Sequence, residues 1–287
     1  MKTLRPDSIA EWIPYNNLQD VKYLTKGGCS EIYTMVWIDG HYKEWDLKEK
    51  QLERFGWVKV ALKKLENIES SNKNWFEEGI SHLHLSSKSA GLIVQCFGLT
   101  QNPLNRHYML VLRYMDINLR EYLNQNHNKL TWKIIFQIID HILYAVSYIH
   151  KENVCGPADI LLNSIYLICI VMWEISSGQP PFINKHNYNL VIKIVNGMRP
   201  KIILGTPLEY KELMVKCWDA SPTKRSNIIF LRDQIRVIYR LYCQNENYGH
   251  NVSSVSSSNL NFNSRIYNVK NLSKPRNAIK EEQESNY

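Results

Sequence analysis

Residues 58–85 read VKVALKKLENIESSNKNWFEEGISHLHL. The run from Val58 to Leu65 has the two-residue period of a strand, with Val60, Leu62 and Lys64 alternating with Ala61 and Lys63. From about Asn74 to Leu85 the pattern is helical. A lysine within a largely buried strand needs an anionic ligand or a carboxylate beside it, because an unpaired charge removed from water is costly. Glu78, on the helix, is the carboxylate within reach of Lys63. A lysine on the wet face of a half-exposed strand and a surface glutamate are the plainer readings of the two residues.

Working toward the N-terminus, Val21–Leu24 leads into LTKGGCSEIY (24–33), followed by a β-branched and aromatic run to Trp37. A glycine-rich turn between strands can bring main-chain N–H groups against a phosphate, since no side chain blocks the approach. A plain hairpin turn is the alternative. Asp39-Gly40 is a hairpin signal, and a charged segment, YKEWDLKEKQLERFG (42–56), precedes the strand at Val58. On the other side, strands are expected at Leu92–Phe97 and Tyr108–Leu112, joined through an Asn102-Pro103 turn.

Beyond Leu119 the chain turns helical. In TWKIIFQIIDHILYAVSYIH (131–150) the residues Ile134, Ile135, Ile138, Ile142, Ala145, Val146 and Ile149 form a wide apolar stripe. Ile165–Ile175 is apolar nearly all round, as in a core helix. Further helices are expected at Leu208–Trp218 and Ile228–Tyr242. After Asn245, Ser, Asn and charged residues predominate, the composition of a flexible tail. A strand-rich part with one helix, followed by a helical part, predicts two lobes with a cleft between them.

Composition narrows the function. With 44% hydrophobic and 22% charged residues among 287, the chain is that of a folded globular protein. The net charge of +8 is spread without long basic runs, which favours a solvated surface over a nucleic-acid or membrane patch. Six cysteines without a CxxC pair indicate reduced, buried thiols of a cytosolic protein. His82 and His84 are two apart and diverge on a helix, so they make no metal pair. The membrane-like segment Ile165–Trp173 is far too short to span a bilayer.

Taken in order, LTKGGCSEIY, VALK and the helix bearing Glu78 resemble the N-terminal lobe of eukaryotic protein kinases. There a Gly-rich loop covers the ATP phosphates and a strand lysine pairs with a helix glutamate. VLRYMD (111–116) with NLREYL (118–123) looks like the hinge that meets adenine. MWEISSGQPPF (172–182) is similar to the end of the second lobe's central helix. MRPKI (198–202) and KCWDASPTKR (216–225) resemble the tyrosine-kinase-like branch, where CW-x-x-x-P-x-x-R closes that lobe.

The resemblance runs from Trp12 to Tyr242 and implies an α+β, bilobal protein-kinase-like fold. Residues 1–11 would be an N-terminal extension and 12–115 a five-stranded antiparallel lobe with one helix. Residues 116–243 would form an incomplete helical lobe, and 244–287 a disordered tail. The implied ATP site comprises Thr25, Gly27, Gly28, Ser30, Ile32, Ala61, Lys63 and Glu78, with Leu112 as gatekeeper and Met115 as a main-chain contact to adenine. Only the middle loop glycine, Gly27, stays in register. Thr25 and Ser30 replace the outer two, stiffening the loop and bringing side chains near the phosphates, so ATP binding is expected to be weak. Arg113 stands where the family usually has an acid.

The stretch YIHKENVCGPADILLNSIYLICIVMWEISSGQPPF (148–182) departs most. Its left end resembles the helix that delivers the chain to the catalytic loop, and its right end the helix that follows the activation segment. Between them, Lys151–Ser164 contains no H-R-D, D-F-G or A-P-E, which in the family hold the base, the metal carboxylate and the segment's anchor. CGPAD followed by NSIY resembles a remnant of the activation segment. Alternatively, ADILLN imitates the stretch after the catalytic-loop asparagine, with Asp159 in its place. A loop acid capping the next helix is the plainer reading. Ser164 replaces the family aspartate that braces the catalytic loop. Arg225 matches the arginine paired with the A-P-E glutamate, so if buried it needs another acceptor; an unpaired buried charge costs about 3–5 kcal/mol.

These departures predict a pseudokinase with no catalytic residue and no metal ligand. It would bind ATP weakly and without magnesium, and act in cytoplasmic signalling through contacts with other signalling proteins, an active kinase among them. Neither nucleic acid nor a membrane span is expected. The alternative is a truncated or mispredicted product of an active serine/threonine or dual-specificity kinase, since the motifs flanking the gap are well kept. A scaffold binding neither nucleotide nor substrate is the third reading.

Overall fold

The computed structural model describes residues 6–27, 30–65, 75–89, 91–126, 129–152, 158–182, 188–244 and 277. Two compact units divide between Asp116 and Ile117. The first is strand-rich and the second helical, so the α+β, kinase-like fold class holds.

In the first unit β1 (Glu11–Trp12), β2 (Leu18–Lys26), β3 (Glu31–Trp37), β6 (Val58–Lys64), β7 (Cys96–Gln101) and β8 (Tyr108–Arg113) form one sheet in the order β1-β7-β8-β6-β3-β2. Five of these strands are antiparallel to their neighbours, as expected. The sixth, β1, adds parallel to β7, with Glu11 opposite Gly98. Gly98 permits this approach: at φ 151°, a Cβ there would lie 1.8 Å from the Glu11 carbonyl oxygen.

Alternation in β6 is as read: Val60 and Leu62 are fully buried on one face. They pack with Met35, Trp37, Met109, Val111, Phe97 and the N-terminal Ile13. At 25 cal/mol per Å², burying each such side chain stabilises by roughly 1.5–3 kcal/mol. The single helix, α1 (Trp75–Lys88), extends past Leu85 and lies in a smaller cluster with Leu65, Cys96 and Leu110.

Besides this sixth strand, two features of the unit differ from expectation. The charged segment is not a bare linker: β4 (Tyr42–Asp46) and β5 (Gln51–Arg54) pair as a separate hairpin. Its base closes where Gly40, at φ +65°, meets Gly56; a Cβ on Gly40 would be 2.1 Å from the Gly56 carbonyl oxygen. Arg54 ties the hairpin to β1 through two hydrogen bonds to Glu11, at 3.0 and 2.8 Å, and also donates to the Gly40 carbonyl. The strand expected at Leu92–Phe97 begins only at Cys96. Leu92 is instead drawn into the turn after α1, where its N–H donates to the Ser89 carbonyl.

The second unit comprises α2 (Leu119–Asn126), α3 (Trp132–Lys151), α4 (Ala158–Ser177), α5 (Tyr188–Val195), α6 (Leu208–Cys217) and α7 (Ile228–Gln244). Thr131 caps α3, its hydroxyl accepting from the Ile134 N–H at 3.4 Å. The centre of the α3 stripe is displaced from the one read in the sequence. Trp132, Ile135, Phe136, Ile139 and Leu143 are buried, whereas Ile134, Ile138, Ile142 and Val146 are only partly so. Apolar residues cover so much of this helix that its packing against α7 and α4, rather than its period, chooses the centre.

Helix α4 starts at Ala158, seven residues before the expected Ile165, so Asp159 and Ser164 both lie within it. Its buried side meets Tyr210 of α6, whose hydroxyl donates to the Met172 carbonyl at 2.8 Å. Arg120 of α2 grips Glu174 of α4 with two hydrogen bonds. Asp140 of α3 accepts from both Arg232 and Arg236 of α7 at 3.0 Å. Cys96, Cys169 and Cys217 are free and buried, and Cys243 is free and half-buried. Among the described residues no helix is long and apolar enough to cross a membrane. The expected flexible tail lies, beyond Gln244 and apart from Asn277, outside the described residues.

Candidate functional site

Strand register assembles the site. In β6, Lys63 lies opposite Ile32 of β3 and Leu110 of β8, while Ala61 lies opposite Thr34 and Leu112. Directly paired residues share a face, and residues two apart in a strand do too. Ile32, Ala61, Lys63 and Leu112 therefore stand on one face, the reverse of the Leu62 and Val60 face. All four are half-buried, so this face is more open than its reverse.

Lys63 is less buried than the sequence implied, with a quarter of its side chain exposed, and it has found its carboxylate. Its Nζ donates to Glu78 Oε1 at 2.6 Å. Glu78 lies in the first turn of α1, where a carboxylate also faces the positive end of the helix dipole. The pair fixes an ammonium group over the open face while leaving further N–H donors for an anion.

The glycine-rich turn joins β2 to β3. Thr25, in β2, pairs with Ile32, and the Gly27 N–H donates to the Ser30 carbonyl at 2.9 Å. Nothing in the fold requires glycine at position 27: a Cβ there would meet only the Ser30 oxygen, at 3.8 Å. The absent side chain instead leaves space above the turn. Thr25 is exposed, whereas Ser30 is buried. Gly28 lies outside the described residues.

At the other end of the face, Met115 is exposed and its main-chain groups bond to no other described residue. Arg113 is exposed, and its N–H is taken by the Gln95 carbonyl. Lys59 sits 3.7 Å over the Tyr114 ring.

One neighbour was not singled out for this site in the sequence. His82 follows Glu78 by four residues, so both occupy one side of α1. Burial first, and the nearby Lys63 charge second, hold its imidazole below the ordinary value of 6.5, while Glu78 opposes them. The helical four-residue spacing was the available signal.

In the second unit, α3 ends at Lys151 and α4 begins at Ala158. Cys155, Gly156 and Pro157, which carry the activation-segment likeness, lie outside the described residues. Asp159 begins neither a catalytic loop nor a free segment, since the chain is already helical there. Arg225 has its substitute acceptors in main-chain carbonyls: Nε donates to Asp219 at 2.8 Å, and a second nitrogen to Ala220 at 3.5 Å.

Comparison with known proteins agrees with this geometry. The profile of the family described as protein tyrosine and serine/threonine kinase matches residues 19–156 and 164–235. A serine/threonine-protein kinase/receptor of Acanthamoeba polyphaga mimivirus is 33% identical over 116 residues, 35% of this chain and 7% of that protein. The dual specificity protein kinase zakA of Dictyostelium discoideum is 27% identical over 123 residues, covering 42% of this chain and 15% of its own. A light-sensor protein kinase of Ceratodon purpureus is 25% identical over 173 residues, 56% of this chain and 13% of its own. The chain thus spans less than a fifth of the length of these relatives.

Proposed function

The chain belongs to the protein tyrosine and serine/threonine kinase family, and on that premise we propose that it is a nucleotide-binding pseudokinase acting through protein contacts. The observation that carries this reading is the Lys63–Glu78 ion pair, at 2.6 Å, over a half-open sheet face. This pair is in place although the sequence supplies no H-R-D aspartate and no D-F-G aspartate downstream.

The residues of the first unit fit a nucleoside triphosphate. Ala61 is small enough to leave room for a base, Ile32 and Leu112 offer apolar contact, and Met115 offers unpaired main-chain groups. Lys63, steadied by Glu78, would meet a phosphate, and the open space above Gly27 would admit its approach. In active kinases magnesium bridges the phosphates and neutralises charge. Here the carboxylates for that ion and the base for a hydroxyl are missing together. Losing parts that act as a unit lowers rate by several powers of ten.

Free, buried cysteines suit a reducing cytoplasm, and partners are expected to be signalling proteins, an active kinase among them. A second reading, a shortened product of an active serine/threonine or dual-specificity kinase, draws on one observation: the family match breaks off at residue 156, resumes at residue 164 and runs to 235, past Glu174 and Arg225. Full-length transcripts encoding H-R-D and D-F-G between Val154 and Ile165 would establish that reading.

Thermal melting with ATP, with and without magnesium, tests the pseudokinase. The expected result is a rise in melting temperature with ATP alone, lost in Lys63→Ala, together with no phosphate transfer to casein or myelin basic protein. No rise for the wild-type chain, or measurable transfer, overturns it.

A further inference from the structure

Helix α1 carries two histidines of different standing. His84 is exposed, whereas His82 is half-buried and makes no hydrogen bond among the described residues. His82 stands one turn beyond Glu78, at the four-residue spacing that brings helix side chains together. Glu78 has an oxygen to offer it: Oε1 takes the Lys63 ammonium at 2.6 Å, and Oε2 has no partner among the described residues. An ammonium, a carboxylate and an imidazole thus form one cluster beside the open sheet face. The imidazole is the member whose side-chain type changes charge near neutral pH.

The charges that act on His82 come from two elements. Lys63 of β6 opposes its protonation and Glu78 of α1 favours it, while burial, the largest cause, holds it in the neutral form. The other elements packed with α1 bring no further charge among the described residues. There β7 offers the Cys96 thiol, which burial pushes up to about 11, and β8 offers the Tyr108 phenol. A phosphate at Lys63 changes this balance. It offsets the ammonium charge that keeps protons off His82 and leaves the pull of Glu78 standing. It also draws Lys63 Nζ toward itself, so that Glu78 gains from a second donor. An imidazolium is such a donor, and a charge-assisted hydrogen bond is about twice as strong as a neutral one.

We propose that His82 is a positioning residue of the nucleotide site, which takes up a proton from solvent when a phosphate of ATP meets Lys63 and then donates to Glu78 Oε2, keeping that carboxylate in place beside the ammonium. The inference rests on the nucleotide-binding part of the functional reading and goes beyond it, because nucleotide affinity becomes coupled to pH and mild acid tightens it. By linkage, whatever factor the proton on His82 adds to ATP affinity, ATP adds to the proton affinity of His82.

Isothermal titration of the full chain with ATP, without magnesium, at pH 7.5 and pH 5.5 tests it. Phosphates themselves gain protons over this range, so wild type is compared with His82→Gln, in which that contribution is the same. The ratio of the two affinities, wild type over variant, should rise about fivefold from pH 7.5 to pH 5.5. Proton NMR of the imidazoles gives a second readout that does not depend on the variant's folding. One wild-type histidine should titrate at higher pH with ATP than without it, and this movement should be absent in Lys63→Ala. A constant ratio of affinities, histidine titrations that ATP leaves unmoved, or a movement that persists in Lys63→Ala overturns the proposal while the nucleotide site stands. Absence of ATP binding at both pH values overturns the nucleotide reading and this one together.

Discussion

Arg225 donates its Nε to the main-chain carbonyl of Asp219 at 2.8 Å, so an arginine whose counterpart in the family resemblance pairs with a glutamate side chain has a main-chain acceptor here within its own loop. Its guanidinium also lies 5.4 Å from the centre of the Tyr166 ring on α4. The closing loop of the helical unit is thereby tied to the helix that carries Ser164. Arg225→Ala is expected to lower stability by about 1.5–3 kcal/mol, the range for a hydrogen bond from a charged group. Arg225→Lys should recover only part, because an ammonium cannot reproduce a planar guanidinium fork over the ring. Urea unfolding of the two variants measures both.

Lys63 and Glu78 should behave as one unit toward ATP. Removing Lys63 would take away the charge proposed to meet phosphate; removing Glu78 would only free Lys63 to wander. Lys63→Ala should weaken ATP tenfold or more, about 1.4 kcal/mol, and Glu78→Gln should weaken it less. The double variant should match Lys63→Ala alone, since Glu78 acts through Lys63. Additive losses in a titration followed by melting temperature would show that Glu78 has a role of its own.

Gly98 is the position on which β1 depends. A Cβ there would clash with the Glu11 carbonyl at 1.8 Å, and φ of 151° is unfavourable to any other residue. Gly98→Ala is expected to detach β1 and cost about 1–3 kcal/mol. Chemical unfolding gives the loss, and an altered Trp12 emission locates it.

His82 makes the strand-rich unit sensitive to acid. Its folded value lies below the ordinary 6.5, with burial the larger cause and Lys63 the second. The unfolded chain therefore takes up the proton first as pH falls below 6.5. The contribution of the neutral imidazole is complete above that pH and is lost as pH drops through the folded value. His150, also held low by burial, acts in the same direction. His82→Gln should flatten the fall in stability below pH 6.5 without removing it, and Glu78→Gln should steepen it by taking away an opposing charge. Urea midpoints across pH 5–7.5 are the measurement.

Legibility differed among elements for physical reasons. Val60 and Leu62 were readable because a strand with one closed face writes its period into the sequence. Glu78 was readable because a half-buried lysine demands a carboxylate, and α1 offered one nearby. The β4–β5 hairpin was hidden: Glu44 and Glu53 are directly opposite each other, an unfavourable pair that Lys43 relieves from one side at 3.0 and 3.8 Å. Alternating charges of that kind look like a solvated linker. In α3 the apolar surface was evident but its centre was not, since only contact with α7 and α4 distinguishes Ile139 from Ile138.

The sequence by itself determined the order of elements, the kinship, the pairing of Lys63 with Glu78 and the absence of H-R-D and D-F-G from Lys151–Ser164, all of which depend on residue type and short spacing. Tertiary structure alone decided that β1 joins the sheet through Gly98, that Arg225 turns to carbonyls, and that Lys64 meets Glu31 on the side away from Lys63. Each of these brings together groups from separate segments, and in each the outcome is set by room and by competing partners. Neither is written in local pattern.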